Sequence, residues 1–246
     1  MFEDSLRRIS ERLDDSARVL DVGGWARPLN RADWVLDLMP YDSRGMLGHD
    51  GEGGERFSSD TWVERDICAR EPWPFEDRSF DFAVCSHTLE DLRDPVWVCA
   101  ELQRVARAGY IEVPSRLEEQ SWNVQGPWVG WGHHHWLIDV EGDDITFVFK
   151  PHILGGIPNS AFPAGYADLL PAGDRRQMLW WEGRFDCRER LFYDPEELNA
   201  YLTGFVADNL DRVPAPSAAG RRQEKQPGVG RALLRRARAA ARARSG

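Results

Sequence analysis

The sequence predicts an α/β fold: a doubly wound, mostly parallel sheet with an antiparallel end and a Trp/His-rich insertion after the fifth strand. Three observations carry this reading. Residues 19–37, VLDVGGWARPLNRADWVLD, are an apolar run, a Gly23-Gly24 turn and a second apolar run closed by an acid. Further on, FDFAVCS, a helix-patterned segment and YIEV alternate strand with helix, which implies parallel pairing through right-handed crossovers. At Arg116 the alternation stops, and a stretch dense in Trp, His, Gly and Pro begins.

Each element has its own signal. Leu6, Ile9 and Leu13 have helical spacing, with Asp4 or Ser5 as a cap, so a leading helix is expected to pack on the sheet or cover a ligand pocket. Residues 18–22 form a short, mostly apolar run that suits a buried parallel strand. The glycines after it permit a sharp turn and close approach of a ligand. Asp37 ends the second strand, residues 34–38, where an acid can accept both hydroxyl hydrogens of a ribose. This outlines a nucleoside-binding site, although an ordinary strand-turn-strand has the same glycines. Residues 41–59 are loop, and residues 61–67 are a third strand ending in Asp66-Ile67. Residues 72–75 form a rigid turn, residues 80–86 a buried fourth strand, and His87 lies just past it.

A helix over 94–106 follows, with Asp94 as N-cap, Pro95 at the first helical position and Val98, Leu102 and Val105 on one face. Gly109 is read as its terminator and residues 110–113 as the fifth strand. Residues 136–140 and 145–150 predict a hairpin, and residues 177–182 and 184–192 a second one around Gly183. Asp194-Pro-Glu-Glu197 has capping-box form and leads an amphipathic helix.

Length and composition bound the rest. The 246 residues suit one α/β domain over 1–213, with residues 116–174 as an insertion or lid, and a basic low-complexity tail over 214–246, disordered or loosely helical. No apolar run reaches the roughly 20 residues that span a bilayer. The charged N-terminus has no secretory core, so a cytoplasmic protein without stable membrane insertion is expected. Cys68, Cys85, Cys99 and Cys187 lack metal or redox spacing and are expected reduced and mostly buried. Net charge is −10, and from Arg221 onward nine Arg or Lys face one Glu, so the body carries about −18. Such a body argues against nucleic acid as a partner.

The order Asp66-Ile67, then PFEDRSFDF over 74–82, then SHTLE over 86–90, resembles the class I S-adenosylmethionine-dependent methyltransferases of type 11. The resemblance spans residues 18–115 and implies a Rossmann-like fold with S-adenosyl-L-methionine as cofactor. It implies that Asp21 and Gly23, with Gly24, begin the loop against the methionine part. It also implies that Asp37 binds the ribose, that Asp66 takes the adenine amino group with Ile67 alongside, and that Ser86 and His87 line the floor under the sulfonium. The loop departs from the family, since Trp25 and Arg27 replace small residues; Trp25 is expected either to pack on the ligand or to alter the contact.

Methyl transfer needs the attacking atom, methyl and sulfur in line, and a hydroxyl acceptor also needs a base or a metal. His87 is one candidate base, at the ligand end of the fourth strand. His133 and His135 are the others, on one side of an extended chain with His134 on the other. Each also has a plain structural reading, and no metal site is assigned, because the triplet lacks zinc spacing. Trp122, Trp128, Trp131 and Trp136 are read as an aromatic wall for a planar or sugar substrate, or as packing. Arg116 and Glu119 are read as acceptor contacts or, preferably, as a surface pair. The expected activity is methylation of a small-molecule acceptor, O ahead of N, on a glycan or natural product. A non-catalytic cofactor-binding module using the insertion for a partner is the alternative, and the oligomeric state is open.

Overall fold

In the computed structural model, residues 1–213 are described, and the predicted basic tail lies outside them. The main sheet has the order β3-β2-β1-β4-β5-β8. Its strands are β1 (Val19–Val22), β2 (Trp34–Asp37), β3 (Trp62–Glu64), β4 (Phe80–Ser86), β5 (Ala106–Pro114) and β8 (Arg176–Glu182). The first five run parallel, and β8 closes the edge antiparallel to β5. A second sheet, β6-β7-β9, contains β6 (Trp136–Glu141), β7 (Asp144–Phe149) and β9 (Asp186–Glu189). The helices are α1 (Glu3–Arg12), α2 (Pro95–Val105), the single turns α3 (Arg116–Glu119) and α4 (Tyr166–Leu169), and α5 (Pro195–Asn209). No helix among the described residues is long and apolar enough to cross a membrane.

Alternation along the strands divides the main sheet between two cores. Leu20, Val22, Leu36, Ala83, Cys85, Ile111 and Val113 face α2 and the small sheet, where they meet Leu102, Trp136, Ile138, Ile145 and Phe147. Val19, Val35, Phe82, Val84 and Tyr110 face the other way, against Ile9 of α1, Leu29 and Phe57 of the loops and Trp62 of β3. The insertion is thus not a detached lid. Its sheet shares the core of the parallel one.

Several expectations are corrected. The predicted cap of α1 is absent: Phe2 is the N-cap and makes no side-chain bond. Gly109 does not end α2, because β5 begins at Ala106, directly after Val105. The glycine serves close approach, since a Cβ there would lie 2.5 Å from the Ala83 carbonyl oxygen and 2.6 Å from the Trp181 ring. The second hairpin does not form. Beyond Gly183 (φ +74°) the chain leaves β5, and β9 pairs parallel with β7 instead. Trp181 and Phe185, both buried, straddle that turn and fix the parting.

The link from β1 to β2 is unusual. Parallel strands are commonly joined through a helix, yet residues 23–33 contain none. Side chains hold this loop instead. Asp21 accepts from the Leu29 amide at 2.8 Å, and Asp37 accepts from the Trp25 amide at 3.0 Å.

Candidate functional site

The carboxyl ends of β1, β2, β4 and β5 meet at one edge of the sheet, where such folds bind ligands. Asp21 and Asp37 lie there, both buried. Gly23 has φ +78°, and a Cβ on it would lie 2.3 Å from Thr88; a Cβ on Gly24 would lie 2.2 Å from the Asp21 carboxylate. Only glycine fits either position. Burial first, and then repulsion from Asp37 and Asp50, push Asp21 up to about 7. Burial also raises Asp37, against the amides of Met39 and Trp25 that it accepts. Two carboxyls thus lie together at this edge, each biased toward its neutral form chiefly by burial. Trp25 packs back onto its own loop, with Nε1 donating to the Ser43 carbonyl and hydroxyl oxygens at 2.9 Å.

Glu112 of β5, which sequence reasoning passed over, is the hub of the next layer. It is fully buried and accepts from Ser5 (3.1 Å), Ser86 (3.2 Å) and Tyr110 (2.5 Å). The amino group of Met1 lies 3.9 Å away, and Arg176 3.6 Å. His87 Nε2 is 3.2 Å from Glu112, and its Nδ1 is 3.5 Å from Glu90. Burial tends to raise the Glu112 pKa, but hydrogen bonds from His87 and Tyr110 overcome it and hold it at about 2. Burial likewise tends to lower His87, and the two carboxylates reverse that and push it up to about 9. As placed, His87 pairs with two carboxylates, which favour its charged form. Its backbone, at φ +51°, is held by its amide donating to the Glu112 carbonyl at 2.8 Å. Through Ser5 and Phe2, the start of α1 does cover this edge, as expected.

A pH dependence follows. A pKa raised on folding, from 6.5 to about 9 for His87, gives stability that is fully present below pH 6.5 and lost as pH rises through 9. The ring is 38% accessible, so solvent screening reduces the effect to roughly 1–2 kcal/mol. Urea unfolding between pH 6.5 and 9 should show this loss in the wild type and a smaller slope in His87→Gln. Equal slopes would remove His87 from the pairing.

The residues expected on the adenine side are engaged within the protein. Asp66 accepts from the Cys68 amide at 2.9 Å and pairs with Arg93 at 2.7 Å. Desolvation works to raise its pKa, but that Arg93 hydrogen bond leaves it lowered. Ile67 is in the core beside Leu36 and Trp73, and its carbonyl accepts from Trp73 Nε1 at 3.2 Å. The four cysteines are free thiols, three of them buried.

In the insertion, the expected pairing of His133 with His135 is not what the fold builds. A turn at Gly132-His133 breaks the extended alternation. His133 and His134 instead converge on Asp91, with Nε2 atoms 4.0 Å and 3.9 Å from its Oδ1. His135 is exposed, and its main chain bonds to Glu90 and Lys150. His134 Nδ1 lies 2.6 Å from Glu119, which also holds Lys150 at 2.9 Å. Burial, the largest influence on His134, is outweighed by Glu119, and its pKa is raised. For His133, burial and its charged neighbour His134 act together and lower it. Arg116 and Glu119 form no surface pair. Both are buried, and Arg116 pairs with Asp139 at 3.1 Å.

Beside this cluster lies a cavity of about 570 Å³, walled by Trp122, Trp128, Trp131, His134 and Lys150 and floored by Gly155 and Gly156. Trp136, expected in that wall, belongs to the main core, with Nε1 donating to the Leu92 carbonyl at 2.6 Å. Asp91 sits on the turn that follows β4, four residues after His87, so the cluster connects the cavity to the ligand edge of the sheet.

Residues 49–111 match a family model described as a methyltransferase domain. The match begins past the β1–β2 loop, the part that departs from the family pattern. No curated protein matches the chain. Among solved structures, YcgJ of Bacillus subtilis is 17% identical over 46% of this chain and 52% of its own, with a TM-score of 0.35. A SAM-dependent methyltransferase from Aquifex aeolicus is 18% identical over 51% of this chain and 69% of its own, at 0.34. One from Mesorhizobium loti is 13% identical over 60% and 62%, at 0.33. At these scores the likeness carries no weight of its own, and the chain covers about half of YcgJ.

Proposed function

We propose that this chain is an S-adenosylmethionine-dependent methyltransferase, and that it methylates a hydroxyl of a small molecule seated in the insertion. The observation that carries this is the aromatic cavity with the Asp91, His133 and His134 cluster on its border. Flat indole walls with a few polar groups suit a sugar ring or a planar natural product.

The chain's residues divide the work. Asp21 and Asp37 offer negative charge at the carboxyl edge to a cationic cofactor, and Asp37 is the ribose acceptor. The bound cofactor supplies an activated methyl group. Trp122, Trp128 and Trp131 orient the acceptor, and alignment accounts for most of the acceleration. A hydroxyl must also lose its proton as it attacks. His87, held cationic by Glu112 and Glu90, does not take it. The Asp91–His133–His134 cluster on the cavity border is the group that promotes that loss. His134 is fixed by Glu119 and positions the other two.

The test is S-adenosylhomocysteine release on addition of pooled small molecules. Release is expected with polyhydroxylated or phenolic pools. Release with amine pools alone would contradict hydroxyl methylation.

A further inference from the structure

We infer that Asp91, His133 and His134 form a binding site for a divalent transition-metal ion, with zinc as the natural probe. The sequence assigned no metal because the His triplet lacks ligand spacing; the fold supplies the missing third donor from the turn after β4.

The geometry is that of a site within reach of closure. One donor atom from each residue lies within 4.8 Å of the others. The two imidazole Nε2 atoms are 3.9 Å and 4.0 Å from Asp91 Oδ1. Tetrahedral zinc with bonds near 2.0–2.2 Å sets its donors about 3.4 Å apart. The two imidazole–carboxylate separations exceed that by about half an ångström and the widest pair by up to about 1.4 Å, a gap that rotation of exposed side chains closes: Asp91 and His133 are 41% and 54% accessible.

Three further features point to a cation. His134 is oriented by Glu119, which takes its Nδ1 and leaves Nε2 facing Asp91, the carboxylate–histidine arrangement that fixes metal-binding tautomers. Glu119 is itself anchored by Lys150. Glu90 is 1% exposed, and its Oε2 has no hydrogen-bond partner among the described residues. Its charge acts on Asp91, His133 and His134 alike.

Two imidazoles and a carboxylate match a borderline ion such as Zn²⁺ better than Mg²⁺ or Ca²⁺, which favour oxygen. Three protein donors leave a position open, as in catalytic rather than structural zinc sites. His134 also lines the aromatic cavity, so that position borders it. Here the inference rests on the hydroxyl-methylation reading: an ion that binds the acceptor hydroxyl lowers its pKa. The O–H bond then breaks, with the proton passing to solvent. The oxygen's electron pair forms the C–O bond, and the S–C pair stays on sulfur.

Metal binding is tested without cofactor or acceptor, so its failure is separate from failure of the methylation reading. The full chain, stripped with chelator and dialysed, is titrated calorimetrically with zinc chloride alone. One equivalent should bind with roughly micromolar or tighter Kd. Asp91→Asn and His133→Ala should each weaken it at least tenfold, and His135→Ala should leave it unchanged. Circular dichroism checks folding, and His133→Asn replaces His133→Ala if the latter does not fold. Absence of binding in the wild type, or less than tenfold weakening in either variant, overturns the site.

Discussion

Replacing His133 with Ala is expected to lower turnover on a hydroxyl acceptor roughly 10²–10⁴-fold, the range for losing a positioned proton acceptor, while cofactor affinity stays constant. Among the described residues no bond joins His133 to Asp21 or Asp37. His135, the last of the triplet, is exposed, and the bonds it makes among the described residues run through its main chain. His135→Ala should therefore stay near wild-type turnover, and the pair of variants separates a specific role from general damage to the triplet. Normal turnover in a folded His133→Ala protein would remove the cluster from the chemistry. A zinc-holding cluster and a bare histidine base both predict the loss. The metal titration distinguishes them.

The second large effect is on the cofactor. Asp37→Asn keeps the shape of the side chain and one acceptor oxygen, but removes the carboxylate charge that the proposed ribose contact uses. A hydrogen bond to a charged group is worth roughly 1.5–3 kcal/mol, so S-adenosylmethionine affinity should fall about 10- to 100-fold. The Ala variant is a poorer probe, because Asp37 also accepts the amides of Trp25 and Met39 and its loss would loosen the β1–β2 loop. Calorimetric titration with the cofactor checks this. Unchanged affinity in folded Asp37→Asn would place the ribose elsewhere.

Much of the fold was legible because it rests on local signals. The runs at β1, β2 and β4, the Asp94-Pro95 start of α2 and the first hairpin are each set by residues adjacent in sequence. The errors lie where tertiary contacts decide. Gly109 reads as a helix stop until Trp181 and the Ala83 carbonyl are seen beside it. Residues 177–192 have hairpin form, but β8 completes the free edge of β5 while β9 is taken by β7.

Of the candidate site, the strand-end acids were legible and the rest less so. Asp21 and Asp37 were named from strand ends and do share one buried floor. Glu112 was read as part of a strand, yet a lone acid in the run YIEV near a carboxyl end was the available signal. Asp91 was hidden for a different reason. Nothing local to SHTLED shows that it will face two histidines of the insertion, which only the packing of β6 against the turn after β4 provides.

The central proposal is that this chain transfers a methyl group to a hydroxyl held beside the Asp91–His133–His134 cluster. S-adenosylhomocysteine release, followed over pooled acceptors in wild type and in His133→Ala, tests it most directly. The account predicts release that depends on a hydroxyl-bearing acceptor, a methyl group found on oxygen in the product, and near-complete loss in the variant. Acceptor-dependent release that places the methyl on nitrogen, or that proceeds equally well in the variant, would contradict it.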